Sequence, residues 1–190
     1  MQVKNKIDVV LAKIEERALG GTEFLPIIGP EKGKFDYLIV RVINAKRILD
    51  LGTLIGYSAL LFAKAVGKKG KVTTIEINEE NAKQAETNFR NANVKNIKLI
   101  IGDAKIIIKK LKVAFDLILL DTWKEDYVKL LPDCVRLLHK GGVLLTDNAL
   151  WKTKEMENFR NALFARKDLE SMIVSIGDGI AFSVKKSIQT

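Results

Sequence analysis

The chain has 190 residues, 47 % of them apolar, with a mean hydropathy of +0.06, which supplies one large core and excludes a disordered or collagen-like chain. Its 32 lysines and arginines against 23 acids give a formal charge of +9, which suits a polyanion such as RNA, yet the excess is spread over all four quarters of the chain and forms no basic arm. A lone cysteine, Cys134, excludes a disulfide framework and a cysteine-held zinc; with no signal peptide and no apolar run near the roughly 20 residues that cross a bilayer, a cytoplasmic protein without a membrane segment is expected.

Val3, Ile7, Val10, Leu11, Ile14 and Ala18 recur at helical spacing, so residues 3–19 predict an amphipathic helix that Gly20-Gly21 stops. A loop carrying Phe24, Pro26, Ile27 and Ile28 follows, and a second helix is expected from Glu31 to Ile43 behind Pro30. From Arg47 onward short apolar runs alternate with longer amphipathic ones, the pattern of βα units around a parallel sheet. Strands are predicted at 47–51, 71–77, 97–101, 115–121, 142–147, 171–176 and 180–185, with helices at about 56–66, 79–92, 104–111, 124–138 and 153–166. Only Gly177-Asp178-Gly179 separates the last two strands, too little for a parallel crossover, so they form an antiparallel hairpin. Residues 1–190 therefore read as one α/β domain, a helical cover over 1–44 and a doubly wound, seven-stranded, mostly parallel core over 45–190.

In such sheets ligands bind beyond the carboxyl ends of the strands, above all at the first βα turn. That turn runs from Asp50 through Gly52, Thr53, Gly56 and Tyr57 to Ser58, and twenty residues past Gly56 the second strand ends in Glu76, where a carboxylate can accept both hydroxyls of a ribose. The turn lacks the G-x-G-x-x-G of a dinucleotide site and the Gly-Lys-Ser/Thr of a P-loop, while Asp50 would repel a phosphate and suit a cation. S-adenosylmethionine, an adenosine with no phosphate but with an ammonium and a sulfonium, meets those constraints; the bland alternative is that the two glycines serve close helix packing. Asp103, before Ala104, can accept from an adenine amino group or cap the helix that follows, and the two roles are compatible.

The fourth strand ends in Asp121-Thr122-Trp123-Lys124 and the fifth in Asp147-Asn148. Adjacent strand ends that carry two carboxylates and an amide suit a hard divalent cation such as Mg²⁺, Ca²⁺ or Mn²⁺, although isolated strand-end acids more commonly cap loops. Lys124 opens a predicted helix, where a cation is unfavourable to the helix dipole, a placement more typical of function than of stability.

These segments carry a resemblance. Leu51-Gly52-x-x-x-Gly56-Tyr57-Ser58, Thr74-Ile75-Glu76-Ile77-Asn78, Leu120-Asp121-x-Trp123-Lys124 and Gly141-Gly142-x-Leu144-Leu145-x-Asp147-Asn148 resemble the cation-dependent O-methyltransferases, the family of catechol and caffeoyl-CoA O-methyltransferases, and the similarity runs from about Thr22 to the C-terminus. The resemblance implies a Rossmann-like class I S-adenosylmethionine-dependent fold and transfer of a methyl group to a hydroxyl of a small catechol-like aromatic acceptor. It implies that Asp121, Asp147 and Asn148 ligate the metal, that Asp121 also reaches the cofactor's amino-acid end, and that Lys124 is the general base. Glu76 would hold the ribose, Asp103 and Ala104 the adenine, Ser58 near Gly52 the methionyl carboxylate, and Ile28 the methionine side of the pocket. Trp123 would wall the cofactor from the acceptor, with Phe24 and Trp151 completing the acceptor wall unless Trp151 covers the last long helix instead. The partner of a second acceptor hydroxyl stays unassigned. The resemblance also admits a hydroxylated uridine of tRNA as the acceptor, makes a homodimer the expected assembly, and leaves a non-catalytic cofactor-binding protein as the remaining alternative. His139, at a helix end, and Cys134, a small apolar residue, are expected to have no part in the site.

Overall fold

The computed structural model describes residues 5–21 and 24–187, so Val3 and Thr22 lie outside it. Two helices, α1 (Lys6–Leu19) and α2 (Gly29–Val42), precede β1 (Arg47–Leu51), α3 (Tyr57–Val66), β2 (Lys71–Glu76), α4 (Glu79–Asn91), β3 (Ile97–Ile101), α5 (Ala104–Lys110) and β4 (Phe115–Leu120). A 3-10 turn (Lys124–Asp126), α6 (Tyr127–Leu137), β5 (Leu138–Asp147), α7 (Lys154–Phe164), β6 (Leu169–Val174) and β7 (Ile180–Lys185) complete the chain. The seven strands lie in the order β3-β2-β1-β4-β5-β7-β6, with β1 to β5 parallel and β7 antiparallel to both of its neighbours. This is the expected α/β sheet with its closing hairpin, and the strand order reverses between β1 and β4, where a crevice must open.

Strand alternation divides the core into two layers. Ile48, Leu117, Leu119, Val143 and Leu145 face α1 to α4, packing with Val10 and Ile14 of α1, Val40 of α2, Phe62 of α3 and Phe89 of α4. Leu49, Leu51, Ile118, Leu120 and Leu144 face the other way, onto Ile108 of α5, Tyr127 and Leu130 of α6, and Phe159 of α7. Each fully buried aliphatic side chain in these layers contributes about 1.5–3 kcal/mol relative to exposure, which is why both faces of the central strands read as apolar.

Several boundaries differ from expectation, the start of α2 at Gly29 and the end of α7 at Phe164 among them, and one difference matters for the site. The predicted helix over 124–138 is broken: Asp126 N–H donates to Trp123 O at 3.0 Å in a tight turn before α6 begins at Tyr127. The break lets Tyr127 bury completely, edge-on to the Phe159 ring at 5.3 Å. β5 starts at Leu138, earlier than predicted, because Phe115 pairs with Leu138 across an irregularity before the regular register resumes at Leu117 and Val143. β6 starts at Leu169 because its whole length pairs with β7, from Leu169 opposite Lys185 to Val174 opposite Ile180. His139 pairs with Asp116 at 2.8 Å near the amino end of β4, away from the crevice, and Cys134 is buried.

Candidate functional site

A cleft of about 680 Å³ opens at the carboxyl ends of the strands and takes lining residues from the ends of β1 to β5 and from the loops around them. On its first side stand Gly52, Leu54, Glu76, Asp103 and Ala104. Gly52 has φ +106°, and a Cβ there would meet Asp121 O at 1.8 Å, so the turn passes so close to the end of β4 that no side chain fits. Glu76 is buried; its Oε2 accepts the Leu54 N–H at 2.7 Å and its Oε1 the Asn78 N–H at 2.9 Å. Each oxygen keeps a lone pair, so the carboxylate is oriented yet still able to accept from a ligand. Asp103 caps α5, accepting the Lys105 N–H at 2.8 Å, and lines the cleft at the same time.

Six other residues expected to touch the cofactor make contacts within the protein and are not part of the cleft lining. Ile28 packs in the core, and Pro26 and Ile27 line the cleft in its stead. Asp50 shares the α3-facing side of β1 with Ile48 by strand alternation, and is fully buried. Its Oδ2 accepts from Ser58 Oγ at 3.0 Å and Thr74 Oγ1 at 2.8 Å, and its Oδ1 has no partner among the described residues. Burial pushes its carboxyl up to about 7 against those two hydroxyl donors. Thr53 Oγ1 is 2.5 Å from Thr74 Oγ1, which engages both threonines in the same buried network. Tyr57 Oη donates to Glu15 Oε1 at 2.5 Å and ties α3 to α1. At Gly56, φ is +92° and a Cβ would fall 2.5 Å from the Phe89 ring, so this glycine serves helix packing. These side chains hold the shape of the turn, of which Gly52 and Leu54 line the cleft.

On the second side, Lys124 Nζ donates to Tyr127 Oη at 2.7 Å and Thr122 O at 3.1 Å, and lies 3.2 Å from Asp121 Oδ1. It sits 4.8 Å from the centroid of the Tyr127 ring and 5.5 Å from that of Trp151. The Tyr127 hydroxyl stays protonated, pushed well up by burial and then by the charges of Asp121, Asp147 and Asp178. Trp123 and Phe24 line the cleft and are 69 % and 92 % exposed, so they form its mouth. Trp151 lines it too, and its Nε1 donates to Asp178 Oδ2 at 2.9 Å, which turns the ring toward the cleft instead of over α7.

Two residues at the centre of this side carry no role in the sequence reading. Lys32, from the first turn of α2, is 7 % exposed and donates to Asp147 Oδ1 at 2.6 Å and Asp178 Oδ1 at 2.5 Å. Asp178, in the hairpin turn, also accepts from Asn148 Nδ2 at 2.5 Å. Burial would lower the Lys32 ammonium, but Asp147 and Asp178 outweigh it and hold the group above the ordinary lysine range. Asp147 is pushed up by burial and by Asp121, with Lys32 pulling against them. Asp178 is held below the usual carboxylate range: burial is outweighed by the ammonium and the Asn148 and Trp151 donors. One turn along α2, Asp36 is buried with an unpartnered Oδ1 and raised well above its ordinary value, first by burial and then by Asp147 and Asp121. The signal for Lys32 was present in the sequence: like Lys124, it is a cation in the first turn of a helix, where the dipole disfavours it.

The site fits S-adenosylmethionine: an acidic, partly apolar cleft at the strand ends, an oriented Glu76, and a backbone at Gly52 that a ligand can approach closely. The donors expected for a divalent cation fit less well. Asp147 already carries the Lys32 ammonium, Asn148 is turned so that its amide N–H₂ serves Asp178, and Asp121 leans to Lys124. Asp121, Asp147 and Asn148 do line one cleft, but Asp147, one of the three expected ligands, is already paired with an ammonium.

A sequence model described as O-methyltransferase matches residues 7–186. The chain is 32 % identical over 125 residues to a catechol O-methyltransferase of Mycobacterium tuberculosis, covering 65 % of this chain and 57 % of that protein. It is 30 % identical over 155 residues to a catechol O-methyltransferase of Niastella koreensis, covering 79 % of this chain and 70 % of that one. Among solved structures, it is similar to the O-methyltransferase TomG of Streptomyces achromogenes in complex with SAM, with a TM-score of 0.84 at 23 % identity over 94 % of this chain and 90 % of that one. A Bacillus cereus O-methyltransferase in complex with SAH gives a TM-score of 0.82 at 23 % identity over 95 % of this chain and 90 % of that one. At these identities the structural likeness speaks for the fold.

Proposed function

Since the chain belongs to the O-methyltransferase family, we propose that it transfers a methyl group from S-adenosylmethionine to a hydroxyl of a small catechol-like aromatic acceptor, with Lys124 as the general base. The observation that carries this reading is the junction of the two sides of one cleft. Glu76 and Asp103 face it from the β2 and β3 ends, while Lys124 faces it from beyond β4 between the Tyr127 and Trp151 rings.

In this reading Glu76 accepts from the ribose hydroxyls, Asp103 and Ala104 meet the adenine, and Gly52 and Asp121 lie against the methionyl end. Bound there, S-adenosylmethionine supplies a methyl group whose bond to sulfur breaks, with its electron pair kept by sulfur, as the acceptor oxygen forms the new O–C bond. The protein's part is alignment and proton removal. Trp123, Trp151 and Phe24 offer flat apolar surface to an aromatic ring, and in-line alignment of this kind can remove several kcal/mol from a barrier. Lys124 takes the hydroxyl proton, its Nζ held for that purpose by Thr122 O and Tyr127 Oη. The divalent cation that the resemblance implies is the part of the picture these donors do not support, and no step here is assigned to one.

The test is transfer from radiolabelled S-adenosylmethionine to a panel of catechols, flavonoids, caffeoyl esters and bulk tRNA, alongside calorimetric binding of the cofactor. Labelling of a catechol-type acceptor is the expected result. Label confined to tRNA would move the acceptor to a hydroxylated uridine, and failure of the cofactor to bind would end the reading.

A further inference from the structure

We propose that the Lys32 ammonium takes the cation position of this site, so that the chain performs its transfer without a divalent metal; this rests on the methyl-transfer reading above. The two carboxylates that hold it lie 115 and 146 residues away in sequence, so the arrangement is a product of the tertiary fold and not of helix geometry. Lys32 is almost fully buried, and an ion pair of this kind is kept only where both partners are satisfied. A dication on Asp147 would have to displace the ammonium, leaving it Asp178 alone as counter-ion, or bind the other carboxylate oxygen with two positive charges held a few ångströms apart in a buried site.

The neighbours are arranged for the ammonium as well. Asp178 puts one oxygen on Lys32 and gives the other to Asn148 Nδ2 and Trp151 Nε1, so the hairpin turn is committed to a lysine-centred network. An ammonium has three N–H donors, of which Asp147 and Asp178 take two, and Lys32 lines the same cleft as Lys124. The remaining donor can bond an acceptor oxygen and favour its anionic form, the task a metal would otherwise perform. A single N–H grips one oxygen where a metal chelates two. The site should therefore accept lone phenolic hydroxyls as well as vicinal diols.

The experiment is a titration of the EDTA-dialysed full chain with Mn²⁺ alone, read by the electron paramagnetic resonance of free Mn²⁺, with S-adenosylmethionine binding measured on the same preparation. The wild type and Lys32→Arg should take up no Mn²⁺ at concentrations up to about 1 mM, while Lys32→Met or Lys32→Ala, checked for a cooperative thermal melt, should gain one site with affinity higher by about tenfold or more. Uptake of one Mn²⁺ by the wild type that Asp147→Asn abolishes would overturn the proposal, as would silence in both neutral variants. Failure of the cofactor to bind would remove the transfer reading while the Mn²⁺ titration still reported what Lys32 occupies.

Discussion

The cofactor side of the cleft is assembled from short-range parts, whereas the acceptor side is assembled across the whole chain. Asp103 is fixed by the amide of Lys105, and Glu76 by that of Asn78, each two residues on, and by that of Leu54 across one pair of neighbouring strands. On the other side Lys32 ties α2 to the end of β5 through Asp147 and to the hairpin turn through Asp178, 115 and 146 residues away. Backbone amides orient the first side, and side-chain charge orients the second. The first should tolerate conservative side-chain changes and fail on backbone changes, and the second should do the reverse.

The largest effect is expected on the acceptor side. Lys124→Met keeps the length and the packing against Tyr127 and Trp151 but removes the base, and should lower kcat by about 10²–10⁴-fold. Cofactor affinity, measured by calorimetry, should stay within about threefold. A large loss of cofactor binding would show that the two sides are not separable. Next is the backbone test of the cofactor side: Gly52→Ala sets a Cβ against Asp121 O at a φ of +106°. Strain of that kind costs about 1–3 kcal/mol before the clash is counted, so the melting temperature should fall and cofactor binding should weaken by about tenfold or more. A third and smaller effect is expected for Glu76→Gln, which keeps both oxygen positions in outline but loses the charge. Cofactor affinity should fall by about tenfold, in the range of one charge-assisted hydrogen bond, with kcat at saturating cofactor little changed.

The same contrast explains what could be read in the sequence. The sheet was legible because each central strand is an unbroken apolar run bounded by turn residues, and the hairpin because three residues cannot support a crossover. Glu76, Asp103, Asp121 and Lys124 were legible because each ends a strand or opens the segment after it, and strand ends are where such sheets place ligands. Asp50, Ser58 and Tyr57 sit in the same stretch, but the bonds that each makes within the protein, to Glu15 or between Ser58 and Asp50, depend on strand and helix phase and were not legible. Ile28 and Ile27 differ by one position in an apolar loop with no periodicity to choose between them. The lysine-centred network could not be derived at all, because nothing local pairs Lys32 with a residue 115 positions away. Only its misfit with the helix dipole of α2 marked it.

The smallest expected effect concerns Asp50, and it tests whether the inner layer of the turn is separate from the ligand-facing one. Its carboxyl titrates near 7 in the folded chain, raised chiefly by burial and also by Asp121 and Glu76, against an unfolded value of about 3.9. Below pH 4 both states hold the proton and the group contributes nothing to the pH dependence. Between about pH 4 and 7 the unfolded chain releases a proton that the folded chain retains, so this residue lowers stability as pH rises, with its full cost present above 7. Asp50→Asn removes the titration while still offering an oxygen to Ser58 and Thr74, at the cost of an amide N–H₂ facing the unpartnered Oδ1 position. The difference in melting temperature between variant and wild type should therefore grow in the variant's favour from pH 4 to pH 7. A net gain of about 1–2 kcal/mol, or about 3–6 °C for a chain of this size, is expected at the upper end. Cofactor affinity should change by less than about threefold, since Asp50 does not line the cleft. If the melting difference is flat across that range while affinity collapses, the aspartate faces the ligand after all, and the division of the turn into an inner and an outer layer is wrong.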